Sequence, residues 1–360
     1  MASLFGNLFK KTGAPASDAG ERVVGVDIGK TSIKVVELEN RDDVLTLTTY
    51  GEIQTGPYSD EPIGQSTSLS AKEEQSALID LFRESAVEAK SAVFAVPLTT
   101  SFVTVMKLPL VEGEDDVSAR VQVEARKYIP VPIKDVTLDW AEITTPTQDS
   151  KQQEVLLAAI QNDSLDRLRA LMKRTNLDKQ PTEIECFSVI RAATDSQKET
   201  VAILDIGGSS MKLYVARNGL LEQIHRIQTG GSSATQFIAD ELEIDFAQAE
   251  LQKRSVGSGG DAATIKKIHQ DTFQRPLQEC NRFIAEYERM HDLAVEVVVI
   301  TGGATLFPGM SDFVAKTLDR SVQHAQPFSK VAYPAFMEDV VEEIAPTFTI
   351  ALGAALRQFE

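Results

Sequence analysis

At 360 residues the chain is long enough to bury two or three hydrophobic cores, and 42% hydrophobic with 25% charged residues is an ordinary globular composition. A net charge of −17 argues against a surface made for nucleic acid or for anionic lipid, because both need clustered basic residues. Cys186 and Cys280 are far apart and read as buried apolar residues of a reducing compartment. His225, His269, His291 and His324 are scattered, so neither a metal-ligand set nor a hydrolase triad is announced.

In chain order, Leu4, Phe5, Leu8 and Phe9 share one face of a short segment ahead of Lys10 and Lys11, which reads as a frayed tail or a surface anchor. A small-residue linker follows at 12–21. Three alternating strands are expected within 22–55, a polar loop at 56–70 and a helix over 71–90. Strands near 93 and 101, a helix over 115–129 that stops before Pro130-Val131-Pro132, and a strand carrying Trp140 come next. Helices are expected at 163–175 and 182–194, and then three more strands at 201–206, 211–216 and 221–228. The remainder reads as a helix at 231–242, helices on either side of 257–261 and another near 274–290. A strand at 295–301, a helix at 309–318 and a closing segment from Ala345 end the pattern. No run of about 18 apolar residues is present, so no membrane span is expected.

One motif occurs twice. Residues 24–36 read VGVDIGKTSIKVV and residues 202–214 read AILDIGGSSMKLY, with Asp27 and Asp205 separated by 178 positions. Each copy is a strand, an acidic glycine-bearing turn and a second strand. Such a turn offers backbone N–H groups and short hydroxyls to phosphate oxygens, here from Gly29, Lys30, Thr31 and Ser32 and from Gly207, Gly208, Ser209 and Ser210. Two facing copies would grip a polyphosphate from both sides, with Asp27 and Asp205 holding Mg²⁺ through water.

A buried-type strand at 295–301 ends in Gly302-Gly303, followed by Ala304 and Leu306. Paired glycines there would let a flat adenine approach the backbone, with Leu306 on its face; a plain strand-to-helix turn is the alternative. Glu250 and Lys253 lie three apart on one helix face, suited to a ribose and a base edge or simply to each other.

Taken together, these motifs resemble the actin-like ATPase superfamily, which includes actin, the Hsp70 chaperones, sugar kinases and FtsA. Asp27–Lys34 and Asp205–Lys212 look like its two phosphate loops, and Gly230-Gly231 with Glu250, Lys253, Gly302 and Gly303 like its adenosine-binding pieces. Between the loops, the run from Val93 to Asp139, with its EARKYIPVP segment at 124–132, is similar to the inserted domain of the PilM family of type IV pilus assembly. The resemblance implies an α/β, two-lobed actin-like (ribonuclease H-like) fold with an inserted small subdomain. Its expected division is 1–21 as tail and linker, 22–92 with 176–200 as the first lobe, to which 345–360 returns, 93–175 as the insertion, and 201–344 as the second lobe.

The resemblance also implies an ATP·Mg²⁺-binding scaffold at the cytoplasmic face of the inner membrane, holding the N-terminal peptide of a PilN-like membrane protein through an Asn-Leu-Leu-Pro core. Val96, Phe102, Val105 and Met106 are candidates for that groove, or else for the insertion's own core. Glu185 is the carboxylate nominated to orient a hydrolytic water, and turnover is expected to be slow at most. Lys30 departs from the usual small hydroxyl in the first loop, and Ala304 from the usual Gly or Ser. A sugar-type kinase on the same fold is an alternative, as is an FtsA-like filament former, although the chain stops at Glu360 directly after the closing motif.

Overall fold

The computed structural model describes residues 21–109, 117–143, 152–179, 182–194, 200–256 and 261–360; the Leu4–Phe9 face lies outside them. Valine- and isoleucine-rich runs form β1 (Arg22–Ile28), β2 (Ser32–Arg41) and β3 (Val44–Gln54). Helix α1 (Ala71–Glu84) opens on a capping box, in which Ser70 Oγ accepts from the Glu73 N–H and Glu73 accepts from the Ser70 N–H. It ends six residues before its expected limit because Ala86 adopts φ 51°, a left-handed conformation that no helix continues through.

There follow β4 (Ser91–Val96), β5 (Ser101–Pro109), α2 (Val117–Glu124), β6 (Val136–Ile143), β7 (Gln152–Gln161) and α3 (Asn162–Arg174). Two short strands, β8 (Asp178–Lys179) and β9 (Glu183–Ile184), lead into α4 (Glu185–Ala193). The second half contains β10 (Thr200–Ile206), β11 (Met211–Arg217), β12 (Leu220–Ile227), α5 (Gly231–Leu242), α6 (Phe246–Arg254) and α7 (Ala262–His291). Then come β13 (Val297–Thr301), α8 (Met310–Leu318), β14 (Ser321–His324) and α9 (Glu338–Leu356). The helix expected near 274–290 is thus the second half of a 30-residue helix that continues through Pro276. Likewise, the closing segment belongs to a helix beginning at Glu338 and running through Pro346.

Two sheets repeat one plan. Their strand orders are β3-β2-β1-β4-β8, with β9 also on β4, and β12-β11-β10-β13-β14. In each, the motif strand pairs antiparallel with the strand after it and parallel with the strand beyond (β1 with β2 and β4, β10 with β11 and β13). The sequence duplication is therefore a duplication of topology. One core joins the lobes, with Val26 and Phe94 from the first sheet, Ile203, Tyr214 and Val299 from the second, and Val189 of α4 in a single cluster. Helix α9 seals the back, and it crosses α4 so closely that a Cβ on Gly353 would lie 2.0 Å from the Ser188 carbonyl oxygen.

The third sheet, β5-β7-β6, is antiparallel and has its own core of Met106, Leu108, Val121, Val155 and Leu157. This inserted unit is smaller than its expected bounds of 93–175. Strand β4 is hydrogen-bonded to β1 and buried along Ala92–Val96, and Leu165, Leu168, Leu171 and Met172 of α3 pack with Leu78 and Leu81 of α1. Accordingly Val96 belongs to the core of the first lobe, whereas Met106 is fully buried within the insertion and Phe102 packs against that same small core.

Candidate functional site: a cleft between the two duplicated loops

Between the two large sheets lies a cleft of about 790 Å³. Every residue expected in the site lines it except Gly230. The two motif turns close identically, as Gly29 N–H donates to the Ser32 carbonyl at 3.1 Å and Gly207 N–H to the Ser210 carbonyl at 3.0 Å. In the strands they join, Asp27 faces Lys34 and Asp205 faces Lys212 in register. The loops also meet across the cleft, since a Cβ on Gly208 would lie 2.3 Å from Thr31 Oγ1. Gly230 stands behind the second loop, and the N–H groups of Gly231 and Ser232 donate to the carbonyls of Gly207 and Gly208 (3.0 and 2.8 Å). Two of the N–H groups at the start of α5 are thus spent on shaping the loop.

Charge collects on the floor of the cleft. Asp27 is buried, and its carboxylate hydrogen-bonds no described residue. Burial, aided by repulsion from Glu185 and Asp205 and opposed by Lys34 and Lys212, pushes its carboxyl up to about 6. Burial likewise raises Asp205 against the pull of Lys212, whose Nζ lies 3.2 Å from Asp205 Oδ2. Glu185, the first residue of α4, is 4% exposed, and both of its oxygens are occupied. Oε1 accepts from Leu98 N–H and Oε2 from Lys212 Nζ, each at 2.8 Å. Burial opposes the charge on Lys212, yet Glu185 and Asp205 beside it hold the ammonium above its ordinary range. Lys34 Nζ donates to Ser32 Oγ at 2.7 Å and lies 3.6 Å from Glu52. Lys34 and Lys212 line the cleft besides the residues expected there, and their recurrence at one position of the two motif copies is the sequence signal for them.

At the other end, Glu250 and Lys253 pair at 2.7 Å, the carboxylate buried and the ammonium half-buried. Glu250 also accepts from Thr235 Oγ1 at 2.6 Å and from Arg254 Nε at 2.7 Å. Burial works against this carboxylate's charge, but these three partners outweigh it and keep its pKa below the ordinary value. Gly302 has φ 90°, and a Cβ there would lie 2.5 Å from Asp205 Oδ1, so only a glycine lets this turn approach the floor of the cleft so closely. Leu306 is 45% exposed toward the opening. Composition gave no hint of His269 and Phe307, which also line this end with their rings stacked at 3.6 Å and 7°. Burial, followed by the nearby Lys253, lowers the imidazole of His269 to about 3.

No group of three or more His, Cys, Asp or Glu able to cage a metal occurs among the described residues. An unpartnered Asp27 carboxylate beside Asp205 instead suits a hydrated divalent cation, which keeps most of its waters and meets the protein through them.

Comparison with known proteins gives this geometry its context. Cell division protein FtsA of Bacillus subtilis (strain 168) is 23% identical over 364 residues, spanning 89% of this chain and 82% of that protein. The fold is similar to that of the PilM-PilN type IV pilus biogenesis complex, with a TM-score of 0.79, 24% identity, and coverage of 94% of this chain and 98% of that one. It is also similar to MreB 5 of Spiroplasma citri bound to AMPPNP, with a TM-score of 0.50, 12% identity and coverage of 92% and 94%. The architecture is therefore the two-lobed actin-like one. The family model described as type IV pilus assembly protein PilM matches residues 25–359, and the chain belongs to that family.

Proposed function

We propose that the chain binds ATP·Mg²⁺ between its lobes and serves pilus assembly as a nucleotide-set scaffold for the N-terminal tail of a PilN-like inner-membrane protein. The observation that carries the nucleotide reading is the pair of identical turns touching across the cleft, with an unpartnered buried carboxylate at their base. Magnesium, when bound, supplies the positive charge that a polyphosphate needs beside two carboxylates. Asp27 and Asp205 orient its waters, the turn amides and Lys30 hold phosphate oxygens, and Gly302, Gly303, Ala304 and Leu306 receive the base. That the similar MreB 5 is bound to AMPPNP supports a nucleotide in this fold.

Glu185 is held on the cleft floor by Lys212 and by the Leu98 N–H, each taking one of its lone pairs. Turnover is slow at most, and the nucleotide acts mainly by fixing the angle between lobes. The similar PilM-PilN type IV pilus biogenesis complex supports a PilN-like partner, whose tail this reading assigns to the insertion and the adjoining lobe. The net charge of −17 leaves the membrane to that partner, and no described helix is long and apolar enough to cross one. This reading places the protein in the cytoplasm, peripheral at the inner membrane.

Titration with the N-terminal peptide of the PilN-like protein, with and without ATP·Mg²⁺, tests both halves. Saturable binding at about micromolar or better is expected, with an affinity that changes when nucleotide is added. Asp27→Ala or Asp205→Ala should weaken Mg²⁺-dependent ATP binding at least tenfold, about 1.4 kcal/mol. Unchanged ATP affinity in both variants removes the site assignment; no peptide binding in either condition removes the scaffold.

A further inference from the structure

His269 projects from α7 into the end of the cleft formed by Lys253, Gly302, Gly303 and Leu306. Only 2% of its surface is exposed, and neither ring nitrogen hydrogen-bonds any described residue. Neither nitrogen is sealed off from solvent, so each keeps a little contact with water at the cleft that a ligand can replace. One face of the ring is covered by Phe307 at 3.6 Å and 7°, and Phe273 lies tilted beside it at 4.9 Å. With a face taken, the imidazole offers the cleft its edge. A ligand reaches that edge by hydrogen bonding in the plane of the ring.

Resting on the nucleotide reading above, we propose that His269 reads the base of the bound nucleotide, its ring edge hydrogen-bonding adenine while the Phe307 stack fixes the angle of that edge. Held neutral by burial and by Lys253, the imidazole carries one donor and one acceptor nitrogen. Adenine meets either one, since its edge carries a 6-amino donor next to ring-nitrogen acceptors. Lys253 is a poorer reader, because its ammonium already donates to Gly231 O at 3.1 Å and Thr235 Oγ1 at 2.6 Å and pairs with Glu250. His269 is therefore a specificity residue at the base end, remote from the phosphates.

Calorimetric titration of the full chain with ATP·Mg²⁺ and with tripolyphosphate·Mg²⁺, which has no base, separates this role from general damage. In His269→Phe the ring volume is kept and the hydrogen bond removed; ATP affinity should fall about tenfold while tripolyphosphate affinity stays within twofold. His269→Gln, which retains a donor and an acceptor, should recover most of the loss. Unchanged ATP affinity in His269→Phe overturns the proposal, as does an equal fall for both ligands in both variants. Wild-type protein that binds neither ligand removes the nucleotide reading itself, and the role of His269 with it.

Discussion

Asp27 illustrates how a site residue is held at a cost to the fold. Its carboxyl rises from an ordinary 3.8 to about 6 because burial disfavours the charge more than Lys34 and Lys212 favour it. The native state therefore binds this proton more tightly than the unfolded chain does. Below about pH 4 both states are protonated and the group is neutral to stability; between about 4 and 6 stability falls as pH rises, and above 6 the full cost is present. Asp27→Asn should then stabilise the nucleotide-free protein by about 1–3 kcal/mol at pH 7.5 and by almost nothing at pH 4. Urea unfolding at the two pH values checks this, and an equal gain at both refutes the electrostatic account. The same titration should make Mg²⁺-dependent nucleotide binding fade as pH drops through 6.

Among the elements, α9 does more than close the chain. It touches the Gly302-Gly303 turn, where Gly302 N–H donates to the Pro346 carbonyl at 2.9 Å, and its far half lies against α4, the helix that begins with Glu185. The α4–α9 crossing depends on Gly353. Two effects compete in Gly353→Ala, since alanine gains about 1 kcal/mol of helix propensity while overpacking a tight site costs about 1–3 kcal/mol or more. Here the obstacle is the Ser188 backbone, 2.0 Å from the new Cβ, which no rotamer change relieves. Overpacking should win. Thermal melting is expected to show a net loss of about 1–3 kcal/mol, and a melting temperature at or above wild type contradicts so close a crossing.

At the scale of the whole molecule, one core runs from the first lobe into the second, the second lobe has a further core of its own, and the inserted sheet has another. Cooperativity should follow those cores. Leu157→Ala, at a fully buried position of the insertion, should cost about 2–5 kcal/mol locally. Hydrogen exchange should then accelerate through β5, β6 and β7 with β1 and β10 still protected and ATP·Mg²⁺ still bound. Equal acceleration in β1 and β10 contradicts separable cores.

The sequence by itself determined the duplicated plan, the two turns and the residues that rim the cleft. A strand, a glycine-bearing turn and a returning strand are encoded within about a dozen residues, so chemistry that depends only on local backbone geometry could be read there. Tertiary structure alone decided the partners. Glu185 proved to be clamped by Lys212 and Leu98, Gly230 turned out to support the second loop from behind, and strand β4 joined the first sheet rather than the insertion. It also set His269 beside Lys253 and Phe307 in the cleft lining. These residues meet across tens to hundreds of positions, and what each can do depends on burial and neighbouring charge, which no local spacing encodes.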